Sequence, residues 1–134
     1  MARIMFFVDG FNVYHSLKRN YPHYLWLNYH ALASCYVTSR QSLQAVFYFT
    51  ALAWWKPAST RRHGDFIAAL EDAGVKTVLG RFKEKERFCP NCNQWFTGHE
   101  EKDTNVNLAL FLYRQAHLDA FSRRTSWFSI SHLL

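Results

Sequence analysis

The sequence FFVDGFNVYH at residues 6–15 decides the fold that we expect for this chain. It continues an apolar run that starts at Ile4, and no polar residue interrupts that run before Asp9. Such runs are typical of strands covered on both faces, as in a parallel sheet between layers of helices. Gly10 allows the chain to turn, and the spacing of the apolar residues after it predicts a helix.

Asp9 and Asn12 are the candidate functional residues of this corner. Ligands collect at the carboxyl ends of the strands in open α/β sheets, so Asp9 is well placed to hold a cation or a polar substrate. Asn12 is expected to cap the helix. The alternative is that Asp-Gly is only a turn and Asn12 only a cap, since short turn signals are common.

The remaining sequence alternates between β-prone and helical patterns, which predicts an α/β domain with a mostly parallel central sheet. Between the short third strand and the last long helix lies a charged stretch, which is typical of a solvated strand or loop. The elements predicted after the first corner are a helix capped by Asn28, a strand at 44–52, a helix from Ser59 or Thr60 to Gly74, a short strand at 75–79, the charged stretch at 81–87, a long helix at 104–121 and a final strand at 125–130.

The length of 134 residues indicates one domain, and a composition that is 49% hydrophobic and 19% charged argues against disorder. No long apolar run and no signal-peptide pattern is present, so we expect a cytoplasmic protein with no membrane partner. The net charge of +6 and the aromatic content of 18% are compatible with RNA, because cations neutralise phosphates and rings stack on unpaired bases. The candidate RNA contacts are Arg61, Arg62, Lys83, Lys85 and Arg87.

Cys89 and Cys92 form a Cys-x-x-Cys pair, and His99 follows it closely. At this spacing two thiolates and one imidazole can reach the same tetrahedral Zn²⁺ ion, so residues 89–99 are a candidate zinc knuckle. Free structural thiols are one alternative, and a redox pair is another, although a redox pair normally lies at a helix N-terminus. The fourth zinc ligand stays open between His63, Glu100 and a residue of a partner chain.

Three motifs occur in a fixed order: FVDGFN at residues 7–12, the Cys-x-x-Cys loop, and HEEKDTNVN at residues 99–107. Over about residues 3–121 their combination resembles the NYN domain family of the PIN-like nuclease superfamily. The resemblance implies a PIN-like three-layer α/β fold whose carboxyl edge gathers acids around Mg²⁺ or Mn²⁺ for the hydrolysis of RNA.

The resemblance also implies a role for individual residues. Asp9 would be the first metal-binding acid, and Asn12 would orient ligands beside it. Glu101 and Lys102 would flank the site, with the lysine as a candidate phosphate contact. Asn105 stands where the family usually has an aspartate, and a neutral amide binds a divalent cation more weakly than a carboxylate.

Two further points bear on activity. Asp103 would point about 200° away from Asn105 on an ideal helix, so it compensates only if the helix starts later. The family normally continues past the long helix into a further strand and more acids, whereas no carboxylate follows Asp119 here. That pattern is the one expected of a truncated or frame-shifted product that lacks its last strands.

Three hypotheses for function follow. The first is a metal-dependent ribonuclease of NYN type whose cleavage is weak or absent. The second is an RNA-binding domain that does not cut. The third is a non-functional fragment whose open sheet edge invites aggregation or pairing with another chain, including a homodimer.

Overall fold

The computed structural model describes residues 1–118 and the two-residue strand at 128–129. The predicted residues 119–121 of the long helix, and the predicted final strand apart from 128–129, lie outside this part of the chain. The elements in chain order are β1 (Ala2–Asp9), α1 (Gly10–Asn20), a short 3₁₀ helix (Pro22–Tyr24), α2 (Tyr29–Cys35), β2 (Gln41–Thr50), α3 (Pro57–Asp72), β3 (Val75–Leu79), β4 (Arg81–Cys89), β5 (Gln94–Lys102), α4 (Thr104–His117) and β6 (Phe128–Ser129).

Four strands form one sheet in the order β3-β2-β1-β6, and every pairing in it is parallel. β4 and β5 form a separate antiparallel hairpin. The predicted α/β class with a mostly parallel sheet is therefore confirmed. The charged stretch at 81–87 lies on β4, where most of its side chains are exposed, which agrees with the predicted solvated strand.

Helices cover both faces of the sheet. Phe6 and Val8 of β1 pack into a core with apolar side chains of α1, α2 and α3. Phe7, which points to the other face, packs with Phe47 and Phe49 of β2 and with side chains of α4. Because both faces are buried, neither strand shows the apolar and polar alternation of a half-exposed sheet.

The helix starts differ from the predictions in two places. Asp9, and not Asn12, is the residue that caps α1. α3 begins at Pro57, before the predicted caps Ser59 and Thr60, because proline suits the first turn of a helix, where its missing N–H leaves no bond unmade. Asn28 caps α2 as predicted, since its side-chain oxygen accepts hydrogen bonds from two backbone amides at 3.0 and 3.1 Å.

Candidate active site at the carboxyl edge of the sheet

Asp9 ends β1 and is buried, with 6% of its surface exposed. Its Oδ1 accepts a hydrogen bond from the Asn12 backbone amide at 3.2 Å, and its Oδ2 accepts one from Asn12 Nδ2 at 2.6 Å. Asn12 thus donates both bonds, one from its backbone and one from its side chain, and Asp9 accepts both as the cap of α1. The carboxylate is fixed in direction, and each oxygen retains acceptor capacity for a further ligand.

Gly80 brings the base of the β4–β5 hairpin to the same edge of the sheet. Its amide donates to the carbonyl of Thr50, the last residue of β2, at 2.7 Å. A Cβ atom at this position would lie 2.7 Å from Thr104 Oγ1 and 2.9 Å from the Lys102 carbonyl oxygen. Only glycine permits this approach, which carries the end of β5 and the start of α4 to the ends of the central strands.

Glu101 is the acid that this approach places near Asp9. Its Oε1 is buried and has no hydrogen-bond partner among the described residues. Burial raises the pKa of Glu101, and the negative charge of Asp9 raises it further, against the opposing effects of the Thr104 hydroxyl and of His15. Two carboxylates from distant parts of the sequence thus interact at one edge of the sheet.

A second polar group lies beside the two acids and was not predicted. The Tyr48 hydroxyl is 3.2 Å from His63 Nε2, and Thr50 Oγ1 is 3.3 Å from the same nitrogen. Burial lowers the pKa of His63, which favours the neutral imidazole. Burial also raises the pKa of Tyr48 to about 12, and the charges of Glu101 and Asp9 contribute to the rise.

The position of Thr50 could have been found from the sequence, because it ends the second parallel strand. His63 could not, because nothing in the sequence fixes which face of α3 meets that strand. Its contact with Tyr48 and Thr50 also places it away from the Cys-x-x-Cys turn, so it does not supply the open fourth zinc ligand within this chain.

Lys102 and Asn105 do not join the two acids. Successive side chains of a strand point to opposite faces, and Lys102 lies with Glu100, whose Oε1 is 2.9 Å from its ammonium group. Asn105 is exposed in the first turn of α4. Asp103 does not compensate, because α4 begins directly after it and its carboxylate pairs with Arg81 at 2.7 Å.

An aromatic cluster flanks the acids on the hairpin side. Trp55 and His99 lie parallel, with ring centroids 3.6 Å apart and an interplanar angle of 8°. Trp54 meets both rings edge-on, at 5.6 and 5.7 Å, and 55% of its surface is exposed. His99 and Glu101 are two residues apart on β5 and share a face, so this cluster lies next to the acid pair.

The predicted zinc set of Cys89, Cys92 and His99 is wrong as a single site. His99 pairs with Glu84, whereas Cys89 pairs with Gln94 at the other end of the hairpin. At about 3.3 Å per residue, the five-residue offset along β5 separates the imidazole from the thiols by roughly 17 Å. Throughout the described residues, no group of three or more His, Cys, Asp or Glu side chains could hold a metal ion.

The candidate RNA contacts lie on two elements. Arg61 and Arg62 are exposed near the start of α3, and Lys83, Lys85 and Arg87 share one exposed face of β4. Glu100 lies opposite Lys83 on the same face. Its pKa is lowered, chiefly by the hydrogen bond and charge of Lys102, with further contributions from the charges of Lys85 and Arg87.

Comparison of the chain with family models, with curated proteins and with solved structures found no match. None of the helices within residues 1–118 has the length and hydrophobicity needed to cross a membrane.

Proposed function

We propose that this chain is a metal-dependent ribonuclease of the NYN and PIN-like type with weak activity. The observation that carries the proposal is the meeting of Asp9 and Glu101, two partly or fully buried acids, at the carboxyl edge of a parallel sheet. Ligands bind at that edge in open α/β folds. The helices on both faces of the sheet and the order of the motifs are consistent with a PIN-like domain.

The two acids fit a hard divalent cation. Mg²⁺ is commonly held by one or two carboxylates together with water and substrate phosphates, so a third acid is not required. Glu101 Oε1 lacks a hydrogen-bond partner within the described part of the chain, and Asp9 disfavours its ionised form. Asp9 and Glu101 would hold the cation, whose positive charge would favour the ionised form of both acids.

The residues of this chain would bind and orient the substrate. When bound, Mg²⁺ or Mn²⁺ supplies polarisation of the phosphate and activation of water for in-line attack. Asn12 holds the Asp9 carboxylate in one direction through its bond of 2.6 Å. Because Asn105 is neutral and exposed, affinity for the cation is expected to be low, and cleavage should require high metal concentrations.

The test of this function is cleavage of a labelled single-stranded RNA by the purified chain. The proposal predicts slow cleavage with Mg²⁺ or Mn²⁺ that stops on addition of a chelator. Cleavage that continues at the same rate after chelation would show that the activity does not belong to this site.

Trp54 gives a reason to expect single-stranded RNA. Its exposed ring lies beside the acid pair, and stacking on an unpaired base is worth about 1–3 kcal/mol. We expect Trp54→Ala to weaken RNA binding by about 5- to 100-fold. The affinity is measured by fluorescence anisotropy in the presence of a chelator. Trp54→Tyr should retain most of the affinity, because a ring remains.

The control for Trp54 is Trp26→Ala. Trp26 is similarly exposed, at 58%, but it packs on Phe66 of α3 and not on the Trp55 and His99 rings that Trp54 contacts. Equal affinities for wild type and Trp54→Ala, or an equal loss in Trp26→Ala, would rule out a specific stacking role.

A second candidate function, RNA binding without cleavage, is favoured by the basic face of β4. Neutralising Lys83, Lys85 and Arg87 to Gln should make the dependence of log affinity on log salt shallower by about 2, at roughly 0.7 per lost phosphate contact. The control is the triple neutralisation of Lys18, Arg19 and Arg40, which are exposed at the opposite, amino end of the sheet. An unchanged slope in the β4 variant would remove this face from the binding surface.

A folded chain that neither cleaves nor binds RNA is the result expected of the non-functional fragment.

A further inference from the structure

The tip of the β4–β5 hairpin holds two thiols side by side. Residues 90–93 form the turn, which is closed by a hydrogen bond of 2.9 Å from the Asn93 amide to the Cys89 carbonyl. The backbone amides of Asn91 and Cys92 donate to the Cys89 sulfur.

This pair supplies half of the ligands that a structural zinc site needs. Structural Zn²⁺ takes four ligands in tetrahedral arrangement, and Cys₄ is a common set. His99 lies too far along β5 to contribute, and no other group of ligands forms at the tip among the residues with described structure. Within the described residues, one chain therefore offers Zn²⁺ two thiolates where it needs four ligands.

The surface around the two thiols suits a contact with another copy. Phe88 and Trp95 pair across the strands with ring centroids 5.4 Å apart, and they are 47% and 69% exposed. Phe96, on the opposite face, is 50% exposed. An isolated two-stranded hairpin is marginally stable, so burial of these rings and a metal bond at the tip would both stabilise it.

The base of the hairpin is already anchored to the domain. Phe82 packs edge-on against Trp55 at 4.8 Å, and Trp55 stacks on His99. Nine residues of each strand carry the chain from that base to the tip, a distance of roughly 26 Å. The tip thus projects the thiols away from the sheet, where a second copy can approach them.

We propose that Cys89 and Cys92 of two copies of this chain bind one Zn²⁺ ion and join the hairpin tips in a homodimer. The site is closed by the partner, which supplies the same two thiolates, so the arrangement is symmetric. The proposal does not rest on the nuclease function, because the tip and the acid pair lie at opposite ends of the hairpin.

The experiment is zinc analysis and light scattering on protein purified with a reducing agent and without chelator. We expect one Zn²⁺ per two chains and the mass of a dimer. Cys89→Ser with Cys92→Ser should be monomeric and zinc-free, with an unchanged circular dichroism spectrum in the helical region. His132, a possible zinc ligand by residue type, lies outside the described residues, and His132→Gln should retain both zinc and dimer because four thiolates complete the site.

Other outcomes would overturn the proposal. They are a zinc-free wild-type protein, one Zn²⁺ per monomer, loss of zinc in His132→Gln, or a dimer that persists after zinc is removed. Absorption of the cobalt-substituted protein adds a direct readout, because four thiolates give a strong sulfur-to-metal charge-transfer band that the double serine variant should lack.

Discussion

Replacing Asp9 with asparagine is expected to lower metal-dependent RNA cleavage by about 100-fold or more. The substitution removes one of the two charges that would hold the cation, whose contribution to stabilising the transition state is several kcal/mol. Asparagine is as good a helix cap as aspartate, so α1 should still form. The loss should therefore appear in single-turnover cleavage rates and not in the thermal melt.

Asp72→Asn is the matched control. Asp72 is exposed at the end of α3, and the change removes the same charge from the chain. We expect cleavage by this variant to equal that of wild type. If Asp9→Asn cleaves as fast as Asp72→Asn, Asp9 has no part in the mechanism and is only the cap of α1.

Gly10→Ala is expected to destabilise the domain by about 2–3 kcal/mol. A Cβ atom at this buried position would overlap the Tyr48 ring and lie 2.8 Å from the Phe49 carbonyl oxygen. The ring cannot move aside easily, because it stacks on Tyr29 at 5.3 Å and its hydroxyl contacts His63. Urea unfolding followed by circular dichroism measures the change in free energy.

Gly64→Ala is the matched control for that substitution. Gly64 lies inside α3, and a Cβ atom there would meet nothing within 4 Å. Alanine is preferred over glycine in helices by up to about 1 kcal/mol, so this variant should be slightly more stable than wild type. Equal stabilities for the two variants would show that the corner after β1 is not tightly packed.

Much of the central sheet could be predicted from the sequence because its strands are buried on both faces. The continuous apolar run before Asp9 and the similar run in β2 indicate such strands without any knowledge of their partners. The corner at Asp9 was placed correctly for the same reason. The cap was assigned to the wrong residue of the corner, since either Asp9 or Asn12 can cap a helix and only the backbone decides which does.

The β4–β5 hairpin determines most of the residue positions that could not be predicted from the sequence. Residues 81–102 were not recognised as two paired strands, although their charges alternate as a strand requires. Once they pair, His99 is carried to the base and the thiols to the tip. Successive side chains of β5 point to opposite faces, so Glu101 lies on the side of Asp9 and Lys102 lies on the basic face.

The neighbours of the acid pair depended on contacts between distant segments. His63 reaches Tyr48 and Thr50 only because of how α3 packs on β2. The approach of Glu101 to Asp9 depends on Gly80, whose lack of a side chain brings the hairpin base to the sheet. Neither packing is encoded in a local pattern of the sequence.

The most direct test of the acid pair as a cation site is a titration with Mn²⁺ followed by electron paramagnetic resonance. It is best done on the Cys89→Ser, Cys92→Ser protein, so that the thiols do not bind the ion. We expect one weak Mn²⁺ site per chain that is lost in both Asp9→Asn and Glu101→Gln and kept in Asp72→Asn. Equal Mn²⁺ binding by all of these variants would contradict it.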